Sequence, residues 1–173
     1  MNRSMHGYHL LADRYLMTTE CNHIAYQLAS TINGEAWYGD SLREILDGVT
    51  AGQAQAHPLA NAHSIWELVL HVEAWANFAW GAMHGTPIPP WPAMPKELDW
   101  PLVTQTSDAA WHQAVKSFFA NHLKLVEAIK GFGDERLEGT VPGRTYNFYR
   151  LFQSMIQHAT YHAGQIALLK KTS

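Results

Sequence analysis

The chain has a single cysteine, Cys21, among its 173 residues. One thiol cannot form an internal disulfide, so the class of small domains held together by disulfide bonds is excluded. An unpaired cysteine also fits a reducing compartment, and we therefore expect the protein to be cytoplasmic.

Long apolar runs are missing from the sequence as well. No segment approaches the roughly 18 continuous apolar residues of a membrane span, and the N-terminus shows no apolar stretch of signal-peptide length. We therefore expect no membrane partner. The first residues lack a clear helical period, so residues 1–18 are predicted to be a weakly ordered extension ahead of one domain at 19–173.

Charged residues are few and nearly balanced in sign. They make up 16% of the chain, with 12 Lys and Arg against 15 Asp and Glu. Because no basic cluster is available to neutralise phosphate groups, nucleic acid is not expected as a partner. Apolar residues make up 47% of the chain, which is enough for a sizeable core and far from the composition of a disordered protein.

The apolar pattern is helical, since no segment shows the evenly spaced β-branched runs of a sheet. The first predicted helix runs from about Glu20 to Asp47. It is expected to bend at Asn33-Gly34 and to restart where Asp40 or Ser41 can act as a cap. The stretch from Gly48 to Pro58 is expected to close this element and to lead into a loop.

The second helix is predicted to begin after Ser64, because Ser64 and Glu67 have the spacing of a capping box ahead of an apolar run. This helix should end between Gly81 and Gly85. The segment TPIPPWPAMPKELDWP follows, at residues 86–101. Its closely spaced prolines are incompatible with a regular helix and favour an extended surface crossover.

Two further helices are predicted after the crossover. Ser107-Asp108 can cap the third helix, and glycines at 131 and 133 should end it. The fourth runs from about Phe148 to Lys170 and places basic side chains at the negative end of its dipole. Four amphipathic helices joined by one long crossover between helices 2 and 3 predict an all-α protein built as a four-helix bundle.

Histidine is abundant, with 11 residues, so only position can separate ligands from ordinary side chains. His158 and His162 are four residues apart, which places both imidazoles on one face of the last helix. Two core histidines bonded to neighbours would show the same spacing, so this pair alone does not decide. His71 lies among apolar residues in the middle of the second helix, where a buried imidazole needs a partner.

His71, His158 and His162 together form a set of three nitrogen donors with open positions for water or substrate. This set predicts a site for one divalent metal ion, and zinc, nickel and iron would all suit it. His122 also falls on an inward face, and a supporting or packed core role is favoured for it over that of a ligand. The remaining histidines are expected to be solvated: His6, His9, His23, His57, His63, His84 and His112.

Several neighbours of these histidines have more than one interpretation. Gln165 lies one turn after His162 and could bond a metal-bound water, although a solvated or core glutamine is equally compatible. Glu67 lies one turn before His71, but its place in the capping box explains it without chemistry. Tyr161 is expected in the core or at the rim, and Trp75 could wall the pocket.

Three segments, GEAWYGDSLREIL, SIWELVLHVEAW and IQHATYHAGQIALLKK, resemble the DinB-like superfamily of metalloenzymes. The resemblance runs from about Gly34 to the C-terminus. It implies an up-down-down-up four-helix bundle. It also implies a metal triad of one histidine in the second helix and a pair in the last, which match His71, His158 and His162.

For activity, the resemblance implies thiol-dependent chemistry, since relatives include mycothiol-dependent isomerases and bacillithiol S-transferases. The leading hypothesis is a metal-dependent S-transferase whose ion deprotonates a low-molecular-weight thiol for attack on a small-molecule electrophile. A metal-hydroxide hydrolase would use the same three ligands. A non-enzymatic metal-binding or ligand-binding bundle is the other alternative. The resemblance and symmetry also lead us to expect a homodimer.

Overall fold

The computed structural model of the protein describes residues 19–172, so the predicted extension at 1–18 lies outside the described residues. Within this range the regular structure is helical and contains no strand beyond one isolated β-bridge, which confirms the all-α prediction. The helices are α1 (Glu20–Asn33), α2 (Leu42–Leu46), α3 (Ala51–Gln55), α4 (Ile65–Met83), α5 (Lys96–Asp99), α6 (Asp108–Lys130) and α7 (Phe148–Thr172), with a 3-10 turn at Asp134–Arg136.

The ends of the long helices follow their caps. The Ser64 N–H donates to Glu67 Oε2 at 2.8 Å and the Glu67 N–H donates to Ser64 Oγ at 3.2 Å, so the predicted capping box begins α4. Ser107 Oγ accepts from the Ala110 N–H at 3.2 Å and begins α6. Each cap satisfies N–H groups that have no partner within the first turn of a helix.

The predicted break at Asn33-Gly34 and the restart at a Ser41 cap are confirmed, but the two parts are separate helices and not one bent helix. The chain leaves the helix at Gly34, and a separate helix, α2, begins only after Ser41, where Ser41 and Glu44 form their own capping box. The stretch expected to close this element also contains α3, which begins at a capping box of Thr50 and Gln53. Local capping therefore divides this region into three helices.

The prediction of an extended crossover is wrong for four residues, because Lys96–Asp99 form α5. Pro95 is the N-cap of this turn with φ -56°, which is the angle a proline ring imposes. A proline at a helix start removes an N–H that would have no helical partner. The rest of the segment between α4 and α6 is not helical.

The four long helices enclose one core. Helices α1 and α4 each pack against both α6 and α7. Large side chains that are fully buried fill the space between them, among them Ile24, Leu28, Phe118, Leu125 and Phe152. The up-down-down-up order, the crossing of the bundle by the rest of the proline-rich segment and the single domain at 19–173 stay predictions. Among the described helices, none has the length and apolar character needed to cross a membrane.

Candidate metal centre

Three imidazoles converge between α4 and α7. His71 lies on α4, and His158 and His162 lie one turn apart on α7. His158 Nε2 is 2.9 Å from His71 Nε2 and 3.1 Å from His162 Nε2. One ring nitrogen from each residue lies within 4.8 Å of the others, so the three could hold a metal ion. His71 and His162 are each only 5% exposed.

The outer nitrogens of two of these rings are tied to carbonyl oxygens. His71 Nδ1 is 2.6 Å from the backbone oxygen of Asp99, and His162 Nδ1 is 2.6 Å from Gln165 Oε1. A carbonyl oxygen can only accept a hydrogen bond, so each Nδ1 carries the proton. The lone pairs of His71 and His162 are then on Nε2 and face the common centre, as in metal-bound histidines.

This arrangement leaves His158 between two acceptors. Its Nε2 faces the lone pairs of both His71 and His162, and a single N–H can donate to only one of them. At least one of the two short nitrogen contacts therefore has no proton between its atoms. A cation at the centre would turn this repulsion into attraction, so the residues present fit a divalent metal ion.

Burial keeps all three rings neutral. Desolvation lowers the pKa of His158 to about 3, with a further contribution from the nearby His162 and His71. Desolvation also lowers the pKa of His162 to about 4, against the opposing bond to Gln165, and it lowers the pKa of His71. Neutral imidazole is the form that binds metal ions, so these rings need not release a proton near pH 7.

The helical turn α5 and the residue after it build one wall of the site. The Trp100 ring stacks between His63 at 3.6 Å and His71 at 3.8 Å, measured between ring centroids. The Asp99 carboxylate accepts from Trp75 Nε1 at 2.8 Å and lies 3.4 Å from His71 Nδ1. Asp99 therefore fixes both His71 and Trp75.

Asp99 and Trp100 are functional neighbours that sequence reasoning missed. Their contacts with His71 join residues 28 positions or more apart, and no short-range pattern reports such a contact. The available signal was the pair Asp99-Trp100 within a segment rich in proline. A large aromatic residue and a carboxylate there are unusual for a linker that only spans a surface.

A cavity of about 460 Å³ adjoins the centre on the side of His162 and Trp100. Most of its lining is apolar, and it includes Leu59, Leu68 and Leu168. Tyr161 lies at its rim and is 65% exposed, which confirms the rim position for this side chain. The cavity offers space for a small molecule with an apolar part beside the three histidines.

His63 also lines this cavity and is paired with Glu67. Its Nδ1 lies 3.3 Å from Glu67 Oε2. Burial raises the pKa of Glu67, but bonds from the Ser64 N–H and from His63 outweigh that effect and hold the pKa below its usual value. The charged carboxylate thus favours a proton on His63 Nδ1 and leaves the Nε2 lone pair available.

The other sequence predictions have mixed outcomes. His122 is a packed core residue whose Nδ1 is 2.7 Å from the Phe118 carbonyl, and it is not in the three-histidine group. Gln165 bonds the His162 ring directly, and Trp75 walls the site with its ring 6.0 Å from that of His158. The expectation of solvation fits His57, His84 and His112, which are exposed, whereas His23 is partly buried.

His63 departs from the expectation in one respect. It is exposed, as predicted, but its ring is stacked on Trp100 and lines the cavity. His6 and His9 lie outside the described residues.

Comparison with known proteins places the chain in a family. The profile of the DinB superfamily matches residues 36–166, and the chain belongs to this superfamily. The matched range contains all three converging histidines. No curated protein and no solved structure matches the chain at a significant level. Membership of a superfamily does not identify a substrate, which must be argued from the site.

Proposed function

We propose that the protein is a metal-dependent enzyme, and specifically a transferase that joins a low-molecular-weight thiol to a small-molecule electrophile. One observation carries this proposal: three neutral imidazoles present Nε2 to a common point, and two of them are held there by bonds at Nδ1. A divalent ion bound there would lower the pKa of a coordinated thiol or water and supply a nucleophile at neutral pH.

The proposed ligands His71, His158 and His162 are three in number, as in catalytic zinc sites, where a fourth position is kept for substrate. Structural sites usually employ four protein ligands. Asp99 and Gln165 hold the His71 and His162 rings in position through Nδ1. The ligand geometry is therefore set before substrate arrives, which reduces the reorganisation needed for the reaction.

The apolar cavity supports a role for an electrophile with an apolar part. Leu168 is 64% exposed at this cavity, and water in contact with such surface is released when an apolar group covers it. The side chains that line the cavity in the described part of the chain include no carboxylate. This lining favours a substrate held by apolar contacts.

In the proposed reaction, His63 accepts the proton that the thiol loses. Its Nε2 has no hydrogen-bond partner among the described residues, and the Glu67 carboxylate 3.3 Å from Nδ1 would stabilise the resulting imidazolium. Trp100 stacks on both His63 and His71, so one indole ring separates the proton acceptor from a proposed ligand. This role would make His63 a catalytic residue in addition to the three ligands.

The proposal is tested with zinc-loaded and nickel-loaded protein prepared without a chelating tag. Cysteine plus 1-chloro-2,4-dinitrobenzene tests thiol transfer, and 4-nitrophenyl acetate without thiol tests hydrolysis. We expect thiol-dependent product that is lost in His158→Ala and kept in His112→Ala, an exposed histidine on α6. Ester turnover without thiol would instead indicate a hydrolase. Metal-dependent stability without any turnover would indicate a non-enzymatic bundle, and would overturn the proposal.

A further inference from the structure

Arg144 ends a tight turn in the loop that precedes α7. The Arg144 N–H donates to the Val141 carbonyl at 3.0 Å, and Gly143 has φ +75°. Proline at the second position and a glycine with positive φ at the third are the pattern of a type II turn. A Cβ on Gly143 would lie 2.5 Å from the Ile88 carbonyl oxygen, so only glycine fits there.

Contacts on both sides fix this turn. The Ile88 N–H donates to the Pro142 carbonyl at 3.0 Å, which joins the turn to the proline-rich segment. The Val141 N–H donates to the Tyr146 carbonyl at 3.0 Å, next to the β-bridge of Thr140 and Asn147. The backbone of Arg144 is therefore held in place, so its side chain starts from a fixed point.

Two of the three nitrogens of the Arg144 guanidinium lack polar partners among the described residues. Its Nε and Nη2 are buried and have no hydrogen-bond partner among the described residues, and no described carboxylate forms an ion pair with it. Arg136, by comparison, donates to the carbonyls of Met83 and Phe132. Two buried donors of a charged group that have no partner are destabilising, so their presence requires an explanation.

The same guanidinium lies beside the candidate metal centre. Its Cζ is 5.9 Å above the centre of the Trp75 ring. The same ring also contacts the centre, since Trp75 Nε1 donates to Asp99 and the ring lies 6.0 Å from that of His158. One indole ring thus separates an unpaired cation from a proposed ligand.

We propose that Arg144 binds a carboxylate group of the small molecule that the protein acts on. A guanidinium forms two parallel hydrogen bonds with a carboxylate, and this pairing would satisfy donors that the chain itself leaves unpaired. The substrate class is then a molecule with a carboxylate at one end and its reacting group at the metal centre. This assignment rests on the proposed function for its substrate, but the binding of the anion does not require the metal.

The test measures melting temperature in succinate and in sodium chloride of equal ionic strength, with metal-free and zinc-loaded protein. We expect succinate to raise the melting temperature of the wild type by about 2 to 4 °C more than chloride does. Arg144→Met should abolish this difference. Arg150→Met is the matched control, because Arg150 is an exposed arginine over Tyr146, and it should keep the full response.

Two further variants separate a loss of folding or of metal from a loss of carboxylate binding. If Arg144→Met does not fold, Arg144→Lys is used, because it replaces the bidentate guanidinium with a single ammonium. Arg144→Lys should show a smaller rise in melting temperature with succinate, whereas Arg150→Lys should show the full rise. His158→Ala should respond like the metal-free wild type, so failure of the metal proposal leaves this result intact. Equal responses of the wild type and the Arg144 variants, or no response beyond chloride, would overturn the assignment.

Discussion

Gln165 offers a sharp test of how the ligands are oriented. Its Oε1 lies 2.6 Å from His162 Nδ1, and this contact fixes the proton on Nδ1 and the lone pair on Nε2. In Gln165→Leu the acceptor is lost, and the buried N–H would lack a partner at a cost of about 1 to 3 kcal/mol. The ring could then also adopt the other tautomer, whose Nε2 cannot bind a metal ion.

Removal of the Gln165 acceptor should therefore weaken metal affinity by roughly 10- to 100-fold, the usual effect of removing a group that supports a ligand. Competition with a chromophoric chelator at constant pH measures it directly. Gln165→Glu keeps an acceptor and makes it stronger, so its affinity should equal or exceed that of the wild type.

Gln157→Leu is the matched control, because Gln157 is an exposed glutamine on the same helix. It should bind metal as the wild type does. If Gln165→Leu also binds as tightly as the wild type while His158→Ala does not, the bond to Gln165 does not orient the ligand and the tautomer argument is wrong.

Three further predictions concern proton transfer, pH and the turn. His63→Gln should lower thiol-transfer activity by about 100-fold or more and leave metal affinity unchanged. His57→Gln alters the more distant partner of Glu67 and should not lower the activity. Equal activities of the two variants would exclude His63 as the proton acceptor. Burial lowers the pKa of His122 to about 4, although the hydrogen bond that its ring donates to the Phe118 carbonyl acts in the opposite direction. His122 is therefore protonated in the unfolded state first as the pH falls through 6.5. Between pH 7 and pH 4, the unfolding free energy of the metal-free wild type should therefore drop by about 3 kcal/mol more than that of His122→Asn. Urea denaturation measures this difference, and parallel pH profiles of the two proteins would contradict it. Gly143→Ala should destabilise the protein by about 1 to 3 kcal/mol because position 143 has a positive φ. Gly164 lies in a helix with open space where a Cβ would lie, so Gly164→Ala should be neutral or stabilising. Similar melting temperatures for the two variants would contradict the requirement for glycine in the turn.

The long helices were predictable because their signals are local. Ser64 and Glu67 mark a helix start within four residues, and an apolar stripe repeats every three or four positions. The pair His158 and His162 was predictable for the same reason, since their spacing alone sets their shared face. His71 was chosen as the third residue because it lies among apolar residues in mid-helix, the DinB resemblance implied the same triad, and the geometry brings the three together.

The supporting residues could not be predicted because their contacts are long-range. Asp99 reaches His71 only because Pro95 begins a turn of helix inside a segment that its prolines otherwise mark as extended. Arg144 reaches Trp75 only because the turn before it is bonded to Ile88. The capping box of Thr50 and Gln53 was, in contrast, a local signal that predicts α3 and was overlooked.

The metal content of the purified protein tests the central claim most directly. Protein made without a chelating tag, incubated with zinc and dialysed, should hold about one ion per chain by elemental analysis. His71→Ala, His158→Ala and His162→Ala should each lose most of that ion, and His112→Ala should retain it. Equal metal content in the wild type and in the three ligand variants would contradict a shared site at these imidazoles.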